Sequence, residues 1–200
     1  RDFCLSRGLG DVYKRQIVKL AVEKILKKNV LVVGAGIKTG LNIRIDNPAQ
    51  LGSDLVVDSV AAIVEYPAPL LIFDLGTANT VCVIDKNKNY IGSMIYPGIG
   101  VSLDSLTAHA SQLGGISIEA PEHMIGKNTT ECMKSGLIYS SAAAMDGIID
   151  RLQEQLGGEA TVIATGGLAK KIVSHCRREI ILDDDLLLKG LAIIYKKNRK

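Results

Sequence analysis

Residues 70–84, LLIFDLGTANTVCVI, contain two apolar runs on either side of a short polar turn. The runs predict two buried strands of a hairpin. A hairpin that only needed to turn would use a two-residue loop such as Asn-Gly. This turn instead carries one acid, one glycine and two threonines, Asp74, Gly76, Thr77 and Thr80. Such a turn suits a polyphosphate, because glycine lets the backbone approach, hydroxyls and amides donate to phosphate oxygens, and a carboxylate holds a cation. The alternative is a polar turn with only a structural role.

The composition is that of a globular chain. It has 200 residues, of which 47% are hydrophobic and 4% aromatic, and a net charge of +3. That apolar content is enough for a core of one or two domains. Because no apolar stretch approaches the ~18 residues of a transmembrane helix and no signal-peptide pattern opens the chain, we expect a cytoplasmic protein without a membrane association. The small charge and few aromatic side chains predict no nucleic-acid partner.

The order of apolar patterns predicts an α/β chain. Residues 1–16 show no helical or strand periodicity, and we expect a foreign or disordered leader there. Residues 17–29 have helical spacing, and the apolar run 30–34 predicts a buried strand before a glycine-rich loop. An antiparallel meander follows the helix predicted near residues 51–64. The remaining predicted elements are helices at 101–112, 128–135 and 142–156, a strand at 161–165, a short strand in EIIL, and a closing helix at 186–197.

The segment LGSDLVVDSV places Asp54 in the first turn of a predicted helix, just after Gly52 and Ser53. An acid there stabilises the positive end of the helix dipole. It can also act as a general base beside a hydroxyl that attacks a phosphate, since phosphoryl transfer needs mainly alignment and charge neutralisation. Asp58, one helical turn later, is the competing carboxylate.

Two further segments carry polar turns. In TVIATGGLAKKI a predicted strand runs into Gly166 and Gly167 at a helix start, where a nucleotide can lie against the backbone, although a plain tight turn has the same pattern. In IGKNTTECMKSG, Thr129 or Thr130 is a candidate for either a helix N-cap or a substrate contact.

Taken in order, these segments resemble one known family. From residue 17 to residue 198 the chain is similar to type III pantothenate kinases, which belong to the acetate and sugar kinase, heat-shock ATPase and actin superfamily. The resemblance rests on GAGIKTG, DNPAQLGSDL, VAAI, DLGTANT, YIGSMIYPGI, IGKNT, SG, ATGGLA and LLLKGL. It implies a ribonuclease H-like, actin-type ATPase fold, with the end of a first lobe at 17–66 and a complete second lobe at 67–200.

The resemblance also implies an activity. The family phosphorylates pantothenate to 4'-phosphopantothenate with ATP, the first step of coenzyme A biosynthesis, using magnesium and a monovalent cation, potassium or ammonium. By motif, Asp54 is the catalytic proton acceptor and Asp74 binds the monovalent cation. ATP contacts are implied for Gly76, Thr77, Gly166 and Gly167, and pantothenate contacts for Gly52, Ser53, Asp54, Leu55 and Thr129. A homodimer is implied as well.

Three departures from the family pattern leave other readings open. The family's N-terminal Asp-x-Gly-Asn-Thr phosphate loop has no counterpart in residues 1–200, so we expect this chain to be a fragment that is inactive alone. Leu55 stands where an arginine is usual, and Ile45 where a tyrosine contacts substrate. The alternatives are a non-catalytic nucleotide-binding or regulatory relative of the same superfamily, and a structural half-domain that only dimerises.

Overall fold

The computed structural model describes residues 16–34, 36–110 and 112–199. The chain divides into two compact units, one that ends at Ile37 and one that runs from Lys38 to Lys200. Of the leader predicted at residues 1–16, residues 1–15 lie outside the described residues, and Gln16 is the first residue of a helix. Within the described ranges, no helix combines the length and the apolar character needed to cross a bilayer.

The first unit contains helix α1 at residues 16–26, as its periodicity predicts. The strand predicted at residues 30–34 is wrong, because these residues join no sheet in the described part of the chain. Leu31 is 39% exposed, and the Val30 amide donates to the Glu23 carboxylate at 3.1 Å. An apolar run becomes a strand only where neighbouring strands satisfy its backbone, and none pairs with this one.

The second unit is built on a six-stranded mixed sheet with the strand order β1-β4-β3-β2-β5-β6. Strand β3 runs antiparallel to both β2 and β4, whereas β5 runs parallel to β2 and β6 parallel to β5. The strands are β1 Asn42–Ile43, β2 Leu70–Leu75, β3 Ala78–Ile84, β4 Asn89–Pro97, β5 Thr161–Thr165 and β6 Ile181–Leu182. The predicted hairpin, meander and 161–165 strand are thereby confirmed.

Helices cover both faces of this sheet. They are α2 Ser53–Glu65, α3 Ile99–His109, α4 Thr129–Leu156, α5 Ala169–Val173 and α6 Leu186–Asn198, with a 3-10 turn at Pro48–Gln50. The two helices predicted at 128–135 and 142–156 are a single helix, α4. Gly136 lowers local helix propensity, but buried neighbours on both sides, among them Met133 and Leu137, hold the helix through it.

Side chains of β2 alternate between two apolar cores. Leu71, Phe73 and Leu75 belong to the core under α3, α4 and α5, whereas Leu70 and Ile72 belong to the core under α2. Because successive residues of a strand point to opposite faces, Asp74 follows Phe73 on the α2 side of the sheet. The alternation therefore directs the one acid of this strand towards α2.

Helices α2 and α6 pack closely at Gly190. A Cβ atom there would collide with the Val57 carbonyl oxygen and would lie 2.7 Å from Val57 Cγ1, so only glycine allows this approach. At the far end of α2, the buried Asp183 carboxylate accepts from Tyr66 Oη at 2.8 Å and Lys189 Nζ at 2.7 Å. These contacts hold α2 against α6 and against the residue that follows β6.

Candidate active site

A cavity of about 560 Å³ opens where β2 and β5 end beside α2. It brings together Asp54, Asp74, Gly166 and Gly167, four residues predicted for one site from segments that are far apart in sequence, together with the competing acid Asp58. Its remaining lining residues are Thr165, Lys170, Asp184 and Leu187. Four aspartates, Asp184 included, therefore line one space beside two glycines of a turn.

Asp54 lies in the first turn of α2, where the chain leaves the N-cap Gly52. Its side chain is exposed, and its Oδ1 accepts from the Leu55 amide at 3.0 Å. A Cβ atom at Gly52 would collide with that same oxygen, so the small residue leaves room for the carboxylate. The acid is thus held at the helix start yet remains open to water and to the cavity.

Asp58 has the opposite environment. Its side chain is 3% exposed, and its Oδ1 has no hydrogen-bond partner among the described residues. Burial, followed by the charges of Asp74, Asp54 and Asp183, raises the pKa of Asp58 to about 7. Asp58 is therefore protonated for much of the time at neutral pH.

Asp74 has a raised pKa as well, because of its burial and then the charge of Asp54. Carboxylates crowded in this way favour a bound cation, which would relieve their mutual repulsion. Within the described part of the chain, no three His, Cys, Asp or Glu side chains are arranged as a metal centre. A cation at Asp74 would have phosphate oxygens or water as further ligands.

The β5–α5 turn is pressed against Asp74. Gly166 has φ +96, and a Cβ atom on it would lie 2.6 Å from Asp74 Oδ1 and 2.7 Å from the Leu75 carbonyl oxygen. The Leu168 amide donates to the same Leu75 oxygen at 3.3 Å. Glycine is required here both for the left-handed backbone and for the close approach.

The β2–β3 turn carries Gly76 and the exposed Thr77 just beyond Asp74, although neither is part of the cavity lining. The Gly98 amide donates to the Thr77 carbonyl oxygen at 3.1 Å. Thr80 differs from Thr77, because its hydroxyl oxygen is buried and has no partner among the described residues. Of the two threonines, only Thr77 is exposed towards solvent.

The remaining predicted substrate residues are more scattered. Ser53 is half-buried beside Asp54, whereas the Leu55 side chain is 8% exposed and packs with Leu70 and Ile72. Ile45 packs against the same cluster, so both departures from the family pattern have apolar partners. Thr129 begins α4 as an exposed residue outside the cavity lining.

The N-cap of α4 is neither of the two threonines considered from the sequence. It is Asn128, whose side chain accepts from the Glu131 amide at 3.0 Å. Because Asn128 caps the helix, the Thr129 hydroxyl is not needed as the N-cap, which was the structural alternative to a substrate contact.

Comparison with known proteins agrees with the motifs. The profile of the family described as Type III pantothenate kinase matches residues 13–151. The chain belongs to the type III pantothenate kinase family. Relatives with that name include proteins from Bacillus cytotoxicus, 46% identical over 88% of this chain and 67% of the relative, and from Exiguobacterium sibiricum, 45% identical over 88% and 69%. A protein from Exiguobacterium sp. is 46% identical over 85% of this chain and 66% of its own. The chain thus spans about two thirds of the length of these relatives.

Solved structures agree on the fold. A conserved Campylobacter jejuni protein described as a Baf family transcriptional activator has a TM-score of 0.53, with 22% identity over 80% of this chain and 70% of its own. The ethanolamine utilization protein EutJ from Carboxydothermus hydrogenoformans has a TM-score of 0.52, with 15% identity over 93% and 74%. The ribonuclease H-like, actin-type fold is confirmed, and likeness at these identities shows the fold alone.

The cavity is also lined by residues that the sequence motifs did not single out. Lys170 lies one helical turn after the glycines in GGLAKK, so its position could have been noted from the sequence. Asp184 and Leu187 come from the loop and helix after β6, and only the tertiary fold brings them to Asp54. A larger cavity of about 650 Å³, lined by residues such as Tyr139 and His175, contains none of the predicted site residues.

Proposed function

We propose that this chain contributes the site at which a kinase transfers the γ-phosphoryl group of ATP to the hydroxyl of pantothenate. The product is 4'-phosphopantothenate, in the first step of coenzyme A biosynthesis. The observation that carries the proposal is the convergence of Asp54, Asp74 and Gly166 on one cavity. Membership of the type III pantothenate kinase family supports the same reaction.

Asp54 acts as the general base in this proposal. As the pantothenate hydroxyl oxygen bonds to the γ-phosphorus and the bond to the ADP oxygen breaks, the hydroxyl proton passes to the Asp54 carboxylate. Its exposed position on the first turn of α2 lets it reach a substrate in the cavity. Asp58 is less suited to the role, because it is only 3% exposed and cannot reach a substrate hydroxyl as the exposed Asp54 can.

Nucleotide binding falls to the two turns that flank Asp74. Gly76 and Thr77 offer backbone amides and one hydroxyl to phosphate oxygens, and Gly166 and Gly167 give a flat surface for the rest of the nucleotide. Asp74 would hold a potassium or ammonium ion, and magnesium would accompany ATP. When bound, these cations neutralise phosphate charge.

Pantothenate would lie against Gly52, Ser53 and Leu55 at the start of α2, with the Thr129 hydroxyl as a further contact. Because Leu55 and Ile45 are apolar, no guanidinium or phenol at these positions can pair with the pantothenate carboxylate. Loss of such a charge-assisted hydrogen bond is worth ~1.5–3 kcal/mol, so we expect weaker pantothenate binding than in relatives that keep both groups.

The same two residues favour a second candidate function, a nucleotide-binding or regulatory relative that does not phosphorylate pantothenate. Leu55 and Ile45 pack in an apolar cluster instead of presenting polar groups to a substrate. Calorimetric titration separates the two candidates. Heat of binding for both ATP and pantothenate supports the kinase, whereas binding of ATP alone supports the regulatory relative.

The organisation of the whole protein is part of the proposal. We propose a cytoplasmic homodimer, in which residues 17–66 complete a first lobe and residues 67–200 form the second. Size-exclusion chromatography with light scattering measures the molar mass in solution. The mass of a monomer at micromolar concentration would refute the dimer.

The activity is tested by mass spectrometry of the products formed from ATP and pantothenate with magnesium and potassium present. Because the chain spans about two thirds of its relatives' length, two preparations are compared. One is the chain itself, and the other is the chain joined to the part of the Bacillus cytotoxicus relative that it does not match. The proposal expects 4'-phosphopantothenate from the joined protein. ATP binding without that product in either preparation would refute it.

A further inference from the structure

The β2–β3 turn is in direct contact with the start of α3. Gly98 is the N-cap of this helix, and its amide donates to the Thr77 carbonyl oxygen at 3.1 Å. The Gly98 carbonyl oxygen in turn accepts from the Ser102 amide at 2.9 Å and from Ser102 Oγ at 3.0 Å. The Gly98 amide is thus hydrogen-bonded to the turn, and the Gly98 carbonyl group is hydrogen-bonded to the first turn of the helix.

Gly98 is in close contact with the turn backbone. A Cβ atom on it would collide with the Gly76 carbonyl oxygen, and would lie 2.6 Å from the Thr77 carbonyl oxygen and 3.0 Å from the Thr77 carbonyl carbon. Its φ of −74 is one that any residue adopts. Glycine is therefore needed for the approach between two backbone segments and not for an unusual backbone conformation.

The start of α3 is itself anchored in the core. Ile99 and Leu103 are 2% and 8% exposed and belong to the core that also contains Leu75 of β2. Any movement of the turn away from Gly98 would break its hydrogen bond, whereas movement towards Gly98 is blocked by contact. The core thereby sets where the Gly76–Thr77 backbone stands.

We propose that Gly98 is a positioning residue for the nucleotide site, holding the Gly76–Thr77 turn against α3 so that the Thr77 hydroxyl and the turn amides meet the phosphates in a fixed place. The inference rests on the proposed function for its ligand. That Gly98 restrains the turn follows from the contacts alone and does not depend on the proposed function.

The test compares Gly98→Ala with Gly100→Ala. Both add one methyl group near the start of α3, but a Cβ atom at Gly100 would meet nothing within 4 Å. Hydrogen exchange measured by mass spectrometry on residues 75–80 should become about tenfold faster in Gly98→Ala and stay at the wild-type rate in Gly100→Ala. Equal exchange in all three proteins would overturn the inference.

Kinetics on the joined protein supply the functional readout. Gly98→Ala should raise KM for ATP about tenfold while KM for pantothenate changes by less than about twofold, a split that general loss of folded protein would not produce. Equal increases in both KM values, or none, would contradict a positioning role. A wild-type protein without phosphoryl transfer would refute the proposed function, and the exchange measurement would still decide whether Gly98 holds the turn.

A milder pair of variants covers the case in which Gly98→Ala does not fold. Ser102→Ala removes one hydrogen bond to the Gly98 carbonyl oxygen, whereas Thr107→Ala removes similar bonds, to Leu103 and Asp104, near the other end of α3. Faster exchange in residues 75–80 is expected for Ser102→Ala alone, by about twofold. The same exchange in both variants would count against Gly98.

Discussion

The two walls of the cavity are built in different ways. The sheet wall comprises Asp74 and the Gly166–Gly167 turn, and the Gly76–Thr77 turn lies just beyond it, outside the cavity lining. Close glycine contacts and amide hydrogen bonds fix the backbone of both turns. The helical wall, which comprises Asp54 and Asp58 of α2, presents carboxylates whose oxygens have few protein partners. The difference is what the proposed roles require, because phosphates need fixed donors, whereas a proton acceptor needs a free carboxylate.

The largest expected effect lies on the helical wall. Asp54→Asn keeps the shape of the side chain but removes the proton acceptor, so kcat should fall by roughly 10²–10⁴-fold. Asp58→Asn is the matched control on the same helix and should retain most of the activity. Steady-state assays of the joined protein measure both. A greater loss in Asp58→Asn than in Asp54→Asn would move the base to the buried acid.

The next effect lies on the sheet wall and is one of stability. Gly166→Ala forces a side chain into a left-handed backbone and against Asp74 and Leu75, which should lower the free energy of unfolding by about 2–4 kcal/mol. Gly167→Ala adds the same methyl group where a Cβ atom would meet nothing within 4 Å, so its stability should stay near wild type. Urea denaturation of both variants measures the difference, and equal stabilities would show that the wall tolerates a side chain.

A smaller effect concerns the pH dependence of stability. An acid whose pKa is raised from 3.8 to about 7 on folding contributes stability that is complete below pH 3.8 and is lost as the pH rises to 7, because the folded state holds the proton more tightly. Asp58→Asn removes this loss. The variant should therefore gain stability relative to wild type as the pH rises from 4 to 8.

Denaturation curves at both pH values provide this measurement. The exposed acid Asp104 of α3 supplies the control, since Asp104→Asn leaves the carboxylates that face Asp58, namely Asp54, Asp74 and Asp183, unchanged. A stability difference between Asp58→Asn and wild type that is constant with pH would mean that Asp58 does not titrate across this range.

Local pattern was sufficient for much of the sheet wall. The apolar runs around DLGTANT predict β2 and β3, which the structure confirms, whereas the phosphate contact inferred from glycine and threonine in the turn stays a prediction. The same reasoning is wrong for residues 30–34, since strand pairing depends on distant neighbours. Likewise, Gly136 resembles a helix end, but its neighbours continue α4 through it.

The helical wall was only partly predictable. Helical spacing places Asp54 and Asp58 one turn apart, yet it does not show that one is exposed and the other 3% exposed. The raised pKa of Asp58 comes first from its burial and then from the charges of Asp74, Asp54 and Asp183, and both causes depend on how α2 packs in the fold. Burial of Leu55 has the same origin, because its partners Leu70 and Ile72 belong to β2.

The central claim is that the two walls together form the site for ATP and pantothenate. Nuclear magnetic resonance titration of the joined protein, labelled with ¹⁵N, tests it most directly. With magnesium and potassium present, ATP should shift the amides of Gly76, Thr77, Gly166 and Gly167. Pantothenate added afterwards should shift those of Ser53 to Leu55 at the start of α2. Shifts confined to the larger cavity around Tyr139 and His175, with none on either wall, would contradict the account.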